Sequence, residues 1–273
     1  MEEILCEILE FLDGDMNQPK PYGWFHLLWL GLSFGFGVLL CRIFPKGTEQ
    51  QVRTVIFGVA LLVTMLEIYK QVNYSFSYKG GNITGDYQWY IFPWQFCSTP
   101  MYVGLLAGVT KGKLHRSLCA YLATFALFAG LCVMFYPTTV FVDTIGINIQ
   151  TMVCHGSMIS VAMYLLYTGY VKAEGKTVLR ALPVFIGAVT LAVVMNEIAY
   201  RTGLLERETF NMFFVSPHCE PSLPVYSLVQ QYVAFPWCLT LYVAGFTAAA
   251  YIMILLAKLA LKLKKTKAKE CMV

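Results

Sequence analysis

Seven long stretches of mostly apolar residues lie between Trp24 and Lys258, separated by polar or basic tethers. Runs of roughly 18 residues or more are long enough to cross a bilayer as helices. The pattern predicts spans over Trp24–Phe44, Val52–Tyr69, Phe92–Thr110, Leu114–Phe135, Ile149–Val171, Val178–Tyr200 and Tyr232–Lys258. Ahead of them, Ile4, Leu5, Ile8, Leu9 and Leu12 recur at helical spacing among Glu2, Glu3, Glu7 and Glu10. That spacing predicts a short amphipathic helix lying on the membrane surface. The acidic start is also unlike the basic n-region of a secretory signal. The expected fold is an all-α integral membrane protein: an amphipathic segment over 1–22, a seven-helix domain over 23–258 and a basic tail over 259–273.

Charge orients this arrangement. Only 13% of the 273 residues are charged and 58% are hydrophobic, against about 25% charged in a soluble domain. Fifteen of the twenty Lys and Arg residues fall on one side. They are Arg42/Lys46/Arg53, Lys111/Lys113/Arg116, Lys172/Lys176/Arg180 and the tail lysines 258, 262, 264, 265, 267 and 269. Lys20, Lys70, Lys79, Arg201 and Arg207 fall on the other. Because short cytoplasmic loops are enriched in Lys and Arg, the N-terminus is expected outside and the C-terminus in the cytoplasm. The net charge of +4 is then mostly a tail lying against anionic headgroups. No nucleic-acid partner is expected.

The few polar residues inside the spans fall near one face: His26, Glu67, Gln95, Cys97, Gln150, His155, Asn196 and Glu197. Ionisable groups in a bilayer are costly and mark functional sites. Cys97 is the candidate nucleophile, placed near a helix N-terminus that favours a thiolate. His155, at similar depth on another span, is the candidate base. Each also reads alone as a packed core residue. Glu67 and Glu197 can orient the imidazole or bind a cation, and Glu197 with Arg201 also has the spacing of an ordinary helical ion pair. Gln95 and Gln150 add donors and acceptors. Asn196 can serve as an oxyanion donor or cap backbone carbonyls. His26 is expected at headgroup level, and His115 and His218 in solvent. The stretch from Asn211 through Pro217, Pro221 and Pro224 is aromatic and proline-rich, and reads either as a lid over the polar pocket or as a surface loop. No C-x-x-C pair occurs among the nine cysteines, so neither a metal site nor a cofactor is expected.

Phe92-Pro-Trp-Gln-Phe-Cys97, followed by Pro100, resembles the L-P-L-H-L-C segment of the YwaF / transmembrane protein 164 family of integral membrane proteins. Cys154-His155-Gly156 is similar to its His-Gly element, and the run from Asn211 through Pro224 to the loop before its last helix. Gln95 departs from the pattern, standing where many relatives carry His. The family includes a eukaryotic acyltransferase that remodels ether phospholipids through a Cys and a His. The resemblance therefore implies a multi-pass protein of the bacterial plasma membrane, with Cys97 as acyl acceptor, His155 as its base and phospholipids as acyl donor and acceptor. Gln95, Glu67, Gln150, Asn196, Glu197 and Asn211 are the expected supporting or substrate-binding groups. Two alternatives remain at this level: a solute or cation transporter or receptor built on the carboxylates, and a lipid hydrolase using the same Cys/His pair.

Overall fold

Helix α1 (Glu2–Asp13) lies across one end of a helical bundle, as its apolar periodicity predicts. Cys6 and Leu9 are buried and pack against Ile83, while Ile4, Ile8 and Phe11 stay exposed, an apolar face suited to a membrane surface. Asn73 ties it down through a 2.8 Å bond to Asp13. The computed structural model describes residues 2–77, 83–85, 87–203, 210–220 and 223–270. Lys79, Arg207 and Pro221 lie outside them.

Among the described residues six helical segments are long and apolar enough to cross a membrane. They are α2 (Trp24–Ile43), α3 (Glu49–Asn73), the pair α5 (Gly112–Ala123) and α6 (Phe125–Phe135), α7 (Ile145–Tyr167), α8 (Gly175–Thr202) and the apolar part of α10 (Phe235–Glu270). Helices α5 and α6 form one span bent at Thr124, whose hydroxyl donates to the Ala120 carbonyl at 2.7 Å. Such back-bonding is a recognised cause of bending. A two-residue hairpin, β1 (Phe76–Ser77) with β2 (Thr84–Gly85), and the short α9 (Pro224–Gln230) belong to the connections.

The predicted span Phe92–Thr110 differs: only Thr99–Val109, α4, is helical, too short to cross alone. Proline sets the boundary. The Phe96 carbonyl would need an N–H at Pro100, which has none, and instead accepts the Thr99 hydroxyl at 2.9 Å. Residues 92–98 are irregular yet penetrate deeply. The Trp94 indole donates to the carbonyl of Ala188, midway along α8, at 3.2 Å. Non-helical backbone at membrane depth is tolerated only where protein surrounds it, and Phe96 is packed among Phe185, Phe213 and Phe246.

Helix α7 is the most buried of the spans. It meets α2 where a Cβ on Gly156 would collide with the Ser33 hydroxyl, and Ser160 donates to the Ser33 carbonyl at 2.6 Å. Close approach through small residues is how membrane helices associate. Gly104 and Gly108 do the same for α4 against Ala60 and Phe57 of α3.

Two histidines expected near water are buried. His26 donates from Nε2 to the Met134 carbonyl at 2.7 Å and accepts the Tyr22 amide at Nδ1, so α2 satisfies the end of α6. His115 joins the Ala107 carbonyl to the Tyr170 hydroxyl at 2.8 and 2.7 Å. Both have full neutral-imidazole complements, which makes their burial affordable in hydrogen-bonding terms.

Candidate functional site at the elbow before helix α4

Cys97 sits in the turn that leads into α4, two residues before its first helical residue. It is partly buried, with a free thiol. A nucleophile in a tight turn at a helix N-terminus has a positive dipole end beside it. The Cys97 carbonyl touches α7 directly, accepting the Cys154 thiol at 3.8 Å.

His155, the next residue on α7, is buried with its ring fixed from one side. Nδ1 lies 2.7 Å from the Thr151 carbonyl. A carbonyl only accepts, so Nδ1 carries the proton, and in the neutral ring Nε2 presents a lone pair. That Nε2 is buried and finds no hydrogen-bond partner among the described residues. Buried polar atoms are overwhelmingly paired, so an orphan nitrogen asks for an explanation.

Glu67, Lys70 and Gln150 form the polar wall beside these groups. The Glu67 carboxylate accepts Lys70 Nζ at 2.8 Å, Gln71 Nε2 at 2.7 Å and Gln150 Nε2 at 3.0 Å. Tyr87 extends the network by donating to Gln71 Oε1 at 2.6 Å, and burial followed by the Glu67 charge pushes its phenol up. The Lys70 ammonium acts electrostatically on Cys97, Cys154 and His155 alike. Lys70 entered the sequence reading only as a topology charge. Its spacing of three from Glu67 was the available sign of a partner.

The other expected residues do something different. Gln95 holds the loop after α8 from both sides, donating to the Asn211 carbonyl at 3.1 Å and accepting the Phe213 amide at 2.9 Å. Asn196 does likewise with both backbone groups of Met212, at 3.0 and 2.7 Å. Asn211 accepts the Ser216 amide at 2.9 Å, and Tyr242 donates to the Phe213 carbonyl at 3.0 Å. The loop is thus a buried plug. Phe213 and Phe214 hold left-handed backbone, φ 58° and 57°, which costs roughly 1–2 kcal/mol per residue. The clamps offset that strain. Gln95→Ala is expected to strand the paired backbone groups, destabilising the protein by about 1–3 kcal/mol. Faster amide hydrogen exchange at Phe213, with the remaining spans unchanged, is the measurement. Glu197 stands apart, paired with Arg201 and, at 2.9 Å, with His218, which stacks on Tyr200.

A comparison with known protein families matches residues 21–256 to the TMEM164 family. The chain belongs to the TMEM164 family. The match covers the elbow, α7, the plug loop and most of α10. No curated protein and no solved structure matches the chain. Membership and the apolar helices together make it a multi-pass integral membrane protein. For this TMEM164-family chain, the chemistry has to be argued from the elbow itself: a thiol in a turn, and an imidazole lone pair carried one residue from Cys154, which touches the main chain of that turn.

Proposed function

We propose that the protein is a membrane acyltransferase that exchanges acyl chains between phospholipids through an acyl-thioester on Cys97. The observation that carries this reading is the orphan Nε2 of His155, held as a lone-pair acceptor by the Thr151 bond. With the thiol brought within reach of His155 Nε2, directly or through one water, the Cys97 proton passes to it. The thiolate attacks the ester carbonyl of a donor phospholipid, forming the C–S bond. The resulting tetrahedral anion is stabilised by the Lys70 ammonium of the adjoining polar wall. Its collapse breaks the ester C–O bond, and the leaving alkoxide takes the proton from His155 and departs as a lysophospholipid. A second lysophospholipid then loses its hydroxyl proton to His155 and attacks the thioester, regenerating the thiol. One ester replaces another, with no redox change.

The side of the membrane constrains the donor. The elbow lies towards the α1 end, opposite the basic tethers, and the excess of Lys and Arg on those tethers supports an outward-facing elbow. In a bacterial plasma membrane, acyl-CoA is cytoplasmic, so a phospholipid of the outer leaflet is the donor. A cation-transport reading has less support, because Glu67 is occupied by Lys70, Gln71 and Gln150, and Glu197 by Arg201 and His218.

Trapping the intermediate tests the reading. Purified protein incubated with phosphatidylcholine and quenched in acid should gain the mass of one acyl group, mapped to Cys97 and released by hydroxylamine. A fully occupied active preparation with no adduct under single-turnover conditions, or an adduct elsewhere, sinks it. Release to water in place of a lysolipid identifies a hydrolase using the same pair.

A further inference from the structure

We infer that the lipid-facing groove between α2, α3 and α7 is the seat of the donor's acyl chain, approaching the Cys97 turn through the seam between Val59 and Ser157. This deepens the thioester reading and rests on it for the identity of the reacting chain. The groove has a volume of about 450 Å3 and is floored by Gly31, Gly35 and Gly156. From Trp29 to Leu39 it runs about 15 Å along α2, half of a hydrocarbon core about 30 Å thick. Its hydroxyls are satisfied internally, Ser33 by Trp29, Ser157 by Cys154 and Ser160 by Ser33. The surface offered is therefore apolar, and the occupant it fits is a hydrocarbon tail.

Continuity with the elbow distinguishes this groove from the others. A small cavity of about 30 Å3 lies behind it, lined by Cys154, Pro100 and Met101, directly next to the Cys97 turn. Room of that size holds about one water. Val59 and Ser157 line both spaces, one on each flanking helix. The larger groove of about 550 Å3 bordered by Arg42 and Tyr167, and the one beneath Tyr226, share no lining residue with the cavity. A chain lying in the α2/α3/α7 groove thus has one thin wall between it and the cavity lined by Cys154 and Pro100, beside the Cys97 turn. Parting Val59 from Ser157 joins the spaces.

Glycine supplies the test. A Cβ added at Gly35 meets nothing within 4 Å, so a large side chain there fills the groove without disturbing the packing. The full-length protein is placed in nanodiscs of phosphatidylcholine doped with phosphatidylcholine bearing a mid-chain diazirine, irradiated, and mapped by peptide mass spectrometry. Label is expected to concentrate on Gly31–Leu39 and Val59–Leu62. Gly35→Trp should cut it about tenfold and lower transfer of long relative to short chains by a similar factor. Gly58→Trp, at an equally open position outside the groove, should change neither. Label spread evenly over all lipid-facing helices, or a Gly35→Trp protein with unaltered label and chain preference, overturns the inference. Cys97→Ala separates the two readings: its groove label should persist, and if it still transferred acyl chains the thioester mechanism would fall while the labelling pattern judged the groove independently.

Discussion

Cys97→Ala is expected to abolish acyl exchange, by about a thousandfold or more, while leaving the fold intact. Loss of the attacking atom removes the covalent step outright, and nucleophile deletions in enzymes of this logic cost at least that much. The fold should survive because the contact between the elbow and α7 runs through the Cys97 main-chain carbonyl, which alanine retains. The thermal unfolding midpoint in detergent should therefore stay within a few degrees of wild type. Acyl exchange between phosphatidylcholine and an isotope-labelled lysolipid, followed by mass spectrometry, reads the activity. A well-folded Cys97→Ala protein working at the wild-type rate removes the mechanism.

His155→Gln comes next in size, with an expected fall of about 10²–10⁴ in the same assay, the range of a lost general base. Glutamine sets an amide at the position of Nε2, gives up the Nδ1 donor to the Thr151 carbonyl and offers no titratable group. The split between steps is diagnostic. If His155 deprotonates the thiol, selective alkylation of Cys97 by iodoacetamide should slow along with exchange. If alkylation and exchange both proceed at wild-type rates, His155 is a packed core residue and its orphan nitrogen has another cause.

Much of this was legible before any coordinates. The α1 amphipathicity and six of the apolar spans follow from periodicity and length, because lipid as solvent leaves few alternatives. Counting turns from the span ends predicts a similar depth for Cys97 and His155; the contact seen is between the Cys154 thiol, one residue earlier on α7, and the Cys97 carbonyl. The half-length α4 was not read, although Pro93 and Pro100 were visible. Both prolines also suit a helix's first turn, and only Trp94 reaching Ala188 reveals that the chain descends without helical structure. The repeated Phe-Pro-Trp shows the same ambiguity. At 235–237 it opens α10, whereas at 92–94 it begins an irregular descent. His26 and His115 were misplaced because a histidine near a span end reads the same whether water or a distant carbonyl satisfies it. The partner of His26 is 108 residues away. Gln95 and Asn196 looked like site polars, and the structure puts their amides on the plug loop.

The irregular descent also sets an order of events during synthesis. Trp94 and Gln95 find their partners 94 and 116 residues further along the chain. Until the ribosome has delivered α8 and the loop beyond it, those groups and the uncoiled peptides between them have no protein to bond and are excluded from hydrocarbon. The elbow therefore waits in the interfacial region and enters the bundle late. A chain truncated before Phe210 would keep both its thiol and its imidazole, yet lack the surroundings that let the thiol's turn stay buried.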